Sequence, residues 1–163
     1  WLLVQAAAAW AWPLGVACLY LAPHFVCNAW LIVYVLLQHT GEDIPHFGNG
    51  EYSEDTNAWT LEKGVFHGTV DRPSYGWLGR VLHHEAGTFH VIHHLFPQVP
   101  CYRSREATAA LDEILAARGC AGLRRVDDTP VLQVIWEMAL LRREVAYEPE
   151  TGDYRYLVAE RRG

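Results

Sequence analysis

Neutral imidazole binds first-row transition metals, and the segment His90-Val91-Ile92-His93-His94 repeats it at positions i, i+3 and i+4. On an α-helix that spacing brings all three rings to one side. The cluster predicts a transition-metal site, with iron, copper, zinc and nickel all compatible with the three residues alone.

His39 ends the apolar run Leu36-Leu37-Gln38-His39-Thr40. An ionisable side chain at the edge of a membrane span is costly without a function or a polar exit. Alone it reads as a headgroup-level polar cap; beside the cluster it becomes a further candidate ligand. His83 and His84 precede His90 closely enough that His83 would share the cluster's face on an unbroken helix, although Gly87 interrupts the pattern. For this pair, support of the ligands from behind is as good a role as ligation. His46 and His67 lie on polar or amphipathic stretches and read as solvated histidines, and His24 reads as interfacial.

The elements that must position these residues begin with an apolar N-terminal region. Trp1 to Gly41 contains no Asp, Glu, Lys or Arg. A span needs ~20 mostly apolar residues, and this run is about twice that, interrupted at Pro13 and at Pro23-His24. Residues 1–40 are therefore expected to form a transmembrane helical hairpin, and residues 41–163 a mostly helical region beyond it, giving a mainly α protein. A cleaved signal peptide would need a basic start and a shorter apolar core. The opening on Trp1 predicts an upstream part to a longer protein.

The net charge is −6, and all 13 basic residues lie at or beyond Lys63. Basic residues concentrate on the cytoplasmic side of membrane proteins, so the C-terminal part is expected in the cytosol. The acidic balance argues against a nucleic-acid partner. The 4 cysteines show no Cys-x-x-Cys pair and read as reduced thiols.

Beyond the apolar region, Gly41 to Thr56 reads as a loop. Ser104 is expected to cap a helix over Arg105 to Arg118 that Gly119 ends, with Leu111, Ile114 and Leu115 as its apolar stripe. Thr129-Pro130 predicts another helix start, and Tyr147 to Val158 a hairpin about Gly152-Asp153.

Several short motifs stand in a recurring order: Leu37-Gln38-His39-Thr40, then Thr69-Val70-Asp71-Arg72 with Tyr75-Gly76, His83-His84 with Gly87-Thr88, and His90 to His94 followed by Leu95-Phe96-Pro97. From about Tyr20 onward the chain resembles the membrane fatty acid desaturases of the methyl-end group, which holds the Δ12 and omega-3 enzymes. The resemblance implies an oxygen-dependent histidine-box enzyme with two iron ions, the third box here supplying His90, His93 and His94 and the last membrane helix supplying His39. It also implies an acyl-lipid or acyl-CoA substrate in membrane lipid, an electron donor such as cytochrome b5 or ferredoxin, and an endoplasmic reticulum location, with a plastid membrane as the alternative. The family's first and second boxes are absent from these residues, so the chain alone is expected to be inactive. Gly41 and Cys101 stand where the family commonly has histidine. Residues around the box look more like omega-3 than Δ12 enzymes. The rivals are a hydroxylase or other oxygenase of the same superfamily, and a membrane metal-binding or transport protein. A transporter would place ionisable ligands in mid-span rather than at a span end.

Overall fold

The structure is a computed structural model that describes residues 1–41, 43–48, 58–140 and 142–158. It contains two compact units, Trp1–Leu36 and Leu37–Gly163. Most of the loop expected over Gly41 to Thr56 lies outside the described residues.

Helix α1 covers Leu2–Ala11 and stops at Trp12, whose φ of −146° is incompatible with a helix. Pro13 then opens α2, Pro13–Val16, at the first helical position, where its missing N–H would have been unpaired anyway. A π-turn over Ala17–Leu21 leads into α3, Ala22–Gln38. The break expected at Pro23-His24 does not occur, and helix runs from Pro13 to Gln38. Pro23 is tolerated because it directly follows the π-turn, where the Ala22 N–H already bonds back to Ala17. The widened turn absorbs the register that proline would otherwise disrupt.

Among the described residues one helix, the 26-residue Pro13–Gln38 stretch, is long and apolar enough to cross a membrane, in place of the two spans expected. At 10 residues α1 falls short of ~20. Leu14, Leu19, Phe25, Val26 and Ile32 are all exposed on the long helix, an outward apolar surface that suits hydrocarbon and not water.

The second unit contains α4, Gly76–Leu82; α5, His90–Leu95; α6, Ser104–Ala117; and α7, Val131–Leu140. They are followed by β1, Arg142–Glu148, and β2, Asp153–Val158, an antiparallel pair. Gly152 takes the left-handed conformation that the expected turn requires. The helix at Ser104 starts one residue earlier than expected: Ser104 is its first residue, with no side-chain cap bond, and Gly119 ends it at φ +72°. Leu111 and Leu115 face inward, whereas Ile114 is exposed, so the buried stripe is narrower than expected.

The core explains how the histidines come to face outward from it. Val91 and Ile92 of α5 are buried with Val65, Phe89, Leu111 and Leu115. Burying positions i+1 and i+2 of the box on one side of the helix leaves positions i, i+3 and i+4 for the other.

Candidate metal centre

His39 follows the last residue of α3, while His90 and His94 stand one turn apart on α5. The Nε2 atoms of His39 and His90 are 3.2 Å apart, and that of His94 lies 3.1 Å from each. The group meets the requirement for holding one ion, its ligand atoms all lying within 4.8 Å of one another.

Backbone carbonyls fix the protonation of two of these rings. His39 Nδ1 is 2.9 Å from the Gly68 carbonyl, and His90 Nδ1 is 3.1 Å from that of Ala86. A carbonyl only accepts, so each Nδ1 carries the proton and each Nε2 presents a bare lone pair. The nearby Thr69 hydroxyl does not alter this, since it donates to Gly64 O at 2.8 Å. Two lone pairs thus face each other at 3.2 Å, which is no hydrogen bond and is unfavourable unless a cation lies between them. A single proton on His94 Nε2 could serve one of them and not both. The donor set therefore fits a transition metal, with the carbonyls as the outer partners that orient ligating histidines.

Electrostatics keep the lone pairs free. Burial, followed by the neighbouring His94 and His39, lowers the pKa of His90 to about 3 against the pull of Ala86. Burial, then His39 and His93, lowers His94 to about 4. Both are neutral, the form a metal needs, at physiological pH.

The remaining sequence candidates lie around this triangle. His93 is exposed on α5, its ring centre 5.8 Å from those of His90 and His94. His83 terminates α4 and His84 begins a turn, so the continuous helix that would carry His83 onto the cluster's face is broken before Gly87. His84 and Glu85 both have positive φ, at 51° and 60°, a conformation uncommon for residues with side chains. That turn presents the Ala86 carbonyl to His90.

His46 is a correction. The sequence reads it as a solvated residue, but it is half-buried, its Nε2 is enclosed without a hydrogen-bond partner among the described residues, and its ring meets Tyr156 edge-on at 5.0 Å. Its backbone pairs with Tyr154 through bonds of 2.7 and 2.8 Å, adding a bridge to the β1–β2 pair. His46 also lines a cavity of about 340 Å³ with His39, His94, Phe47, Trp59 and Val65. The sequence signal that was available is the Pro45-His46-Phe47 stretch, two apolar residues flanking the imidazole.

Burial lowers the His46 pKa, with Asp153 opposing it. A histidine in the unfolded chain titrates near ~6.5, so as pH falls through that value the unfolded state takes up the proton more readily than the folded one. Stability contributed by neutral His46 is then lost on acidification. Lowering pH from about 7.5 to about 5 is expected to reduce the protection factors of the His46 and Tyr154 amides, that is, the slowing of their exchange relative to the intrinsic rate at each pH, and His46→Phe should abolish that reduction. Equal protection factors at both pH values in the unsubstituted protein would show that the ring plays no part.

The chain combines an apolar helix long enough to cross a membrane with a convergent histidine triangle whose geometry could hold one metal ion. Residues 1–122 match the model of the family described as fatty acid desaturase. The chain is 38% identical over 136 residues to an endoplasmic reticulum omega-6 fatty acid desaturase of Glycine max, covering 83% of this chain and 30% of that protein. It is 36% identical over 150 residues to a Δ12-acyl-lipid-desaturase of Punica granatum, covering 91% and 33%. A Δ12 acyl-lipid conjugase of Impatiens balsamina is 34% identical over 120 residues, covering 74% and 27%. No solved structure matches. The chain belongs to the fatty acid desaturase family, and it spans about a third of the length of the curated relatives it matches.

Proposed function

We propose that this chain carries the third histidine box and one further ligand of a membrane diiron desaturase that introduces a cis double bond toward the methyl end of an acyl chain. The convergence of the Nε2 atoms of His39, His90 and His94 is the observation that carries it. Those three residues would hold one iron. His93, exposed beside them, would contribute to a second, together with ligands from outside the described residues. Bound iron, with O2, supplies the oxidising power to remove hydrogen from an unactivated methylene.

The residues themselves hold neutral nitrogens in place and line the approach. Phe47, Trp59 and Val65 give the cavity beside His39 and His94 apolar walls suited to part of an acyl chain. In the overall reaction two hydrogens leave adjacent methylenes and O2 becomes two waters. The other two electrons and two protons come from outside, by way of a donor such as cytochrome b5 or ferredoxin. We assign the protein to the endoplasmic reticulum membrane, with the second unit on the cytosolic side. This fits the naming of the Glycine max relative and the confinement of basic residues to positions from Lys63 onward.

For regiochemistry the relatives' names favour Δ12 desaturation of an acyl-lipid. Omega-3 desaturation is the second reading, supported by the residues of the box itself, His-Val-Ile-His-His-Leu-Phe-Pro-Gln. Metal analysis of the complete enzyme purified from membranes tests the metal assignment. Iron without stoichiometric zinc is expected, and zinc in its place would overturn the diiron reading.

A further inference from the structure

Two adjacent charged residues, Asp71 and Arg72, are almost completely buried, at 0% and 1% exposure. Charges are left inside a protein only when paired, and their isolation from water is costly. They lie on a segment whose backbone is itself fastened on several sides. Val70 N–H donates to Gln38 O at 2.9 Å, Asp71 N–H to Arg125 O at 3.0 Å and Arg72 N–H to Gly87 O at 2.7 Å.

Their side chains reach the two histidine-bearing segments separately. Arg72 donates from Nε to the Leu37 carbonyl at 2.7 Å and from Nη2 to the Thr40 carbonyl at 3.2 Å, the two positions that bracket His39. Its third nitrogen pairs with Asp127. Asp71 accepts the Val91 N–H through Oδ1 at 2.8 Å, in the first turn of the helix that begins with His90. Its other oxygen takes Arg124 Nη1 at 2.7 Å, and Arg124 continues to Asp112 on α6.

We propose that Asp71 and Arg72 act together as a clamp that sets the separation of His39 from His90, and are positioning residues for the metal centre. The inference rests on the diiron reading above. A fork of planar donors is needed on the Arg72 side, because two carbonyls lying either side of the Gln38-His39 pair must be held at once. Lysine could keep the charge opposite Asp127 but could not hold both carbonyls. On the Asp71 side a carboxylate suits the N–H groups and positive end of the helix carrying His90 and His94. One dipeptide thus ties the end of the apolar helix to the start of the box helix, and each half fixes the backbone of one ligand. Neither side chain contacts an imidazole.

The test uses the complete enzyme in detergent, with Fe(II) as the probe and a chelator titration reading its affinity. Arg72→Lys is expected to weaken iron binding ~10–100-fold, the range for losing an outer partner of a metal ligand. Membrane insertion and thermal midpoint should stay close to the unsubstituted enzyme, and saturating Fe(II) should restore activity. Should Arg72→Lys fail to accumulate, Asp71→Asn decides instead, since an amide has one acceptor oxygen and cannot take both the Val91 N–H and the Arg124 Nη1, so the bridge that the carboxylate makes between the box helix and Arg124 is lost. Unchanged iron affinity in the variant that accumulates would overturn the clamp. His90→Ala run alongside separates the two ideas, because full iron retention there would overturn the metal centre itself.

Discussion

Replacing His90 by Ala in the complete enzyme is expected to lower iron affinity and desaturase activity by more than about 100-fold, beyond the range for outer partners because a ligand itself is lost. His90 is the most buried of the three imidazoles and faces both His39 and His94, at 3.2 and 3.1 Å. Its removal leaves two nitrogens where three converged. The same result is expected for His39→Ala and His94→Ala. His93→Ala should differ in one respect: activity should also vanish, but the iron held by the triangle should remain, so that about one iron is bound instead of two. Iron content per protein and conversion of acyl substrate measure these outcomes, and a protease-protection assay checks that insertion is unaltered. Full iron content and product formation in His90→Ala would remove the basis of the metal assignment.

The box was legible because a helix converts the spacing i, i+3, i+4 into one face regardless of what surrounds it. His39 was legible for a different reason, the cost of an ionisable group at the end of an apolar run. The Tyr147 to Val158 hairpin was legible from alternation about Gly152-Asp153, because a left-handed turn residue leaves a clear mark on sequence. The break in the apolar region was misplaced since proline at position 23 is disruptive only if the backbone before it is a regular α-helix, and a π-turn carries no compositional mark. What orients the imidazoles was hidden for a deeper reason. Gly68 and Ala86 act through backbone carbonyls that every residue possesses. Asp71, Arg72 and Arg124 look like surface charges in a linear string and become a buried network only when segments distant in sequence are brought together. The resemblance pointed to Asp71-Arg72 as a motif, and the hydrogen bonds supply its physical reason.

Product identity carries the other large effect. Yeast that makes oleate but no dienoic acid should accumulate linoleate when it expresses the complete enzyme, and should form no α-linolenate when fed linoleate. The double bond forms at the carbon pair that stops beside the iron, so its position depends on the depth and bend of the channel leading there, and not on the ligands. In the described residues only the wall formed by Phe47, Trp59 and Val65 beside His39 and His94 bears on that depth. Box residues such as Val91 and Ile92 cannot act directly on the substrate, because they are buried in the core with Leu111 and Leu115, away from the imidazole face. The Val91-Ile92 part of the feature that favours an omega-3 reading therefore faces the core, whereas identity to Δ12 and omega-6 enzymes extends over 136 to 151 residues. For this reason linoleate is the expected product. Formation of α-linolenate from supplied linoleate, with no linoleate made from oleate, would transfer the assignment to omega-3 desaturation. A hydroxylated acid in place of either would instead place the chain with the oxygenases that share this histidine arrangement.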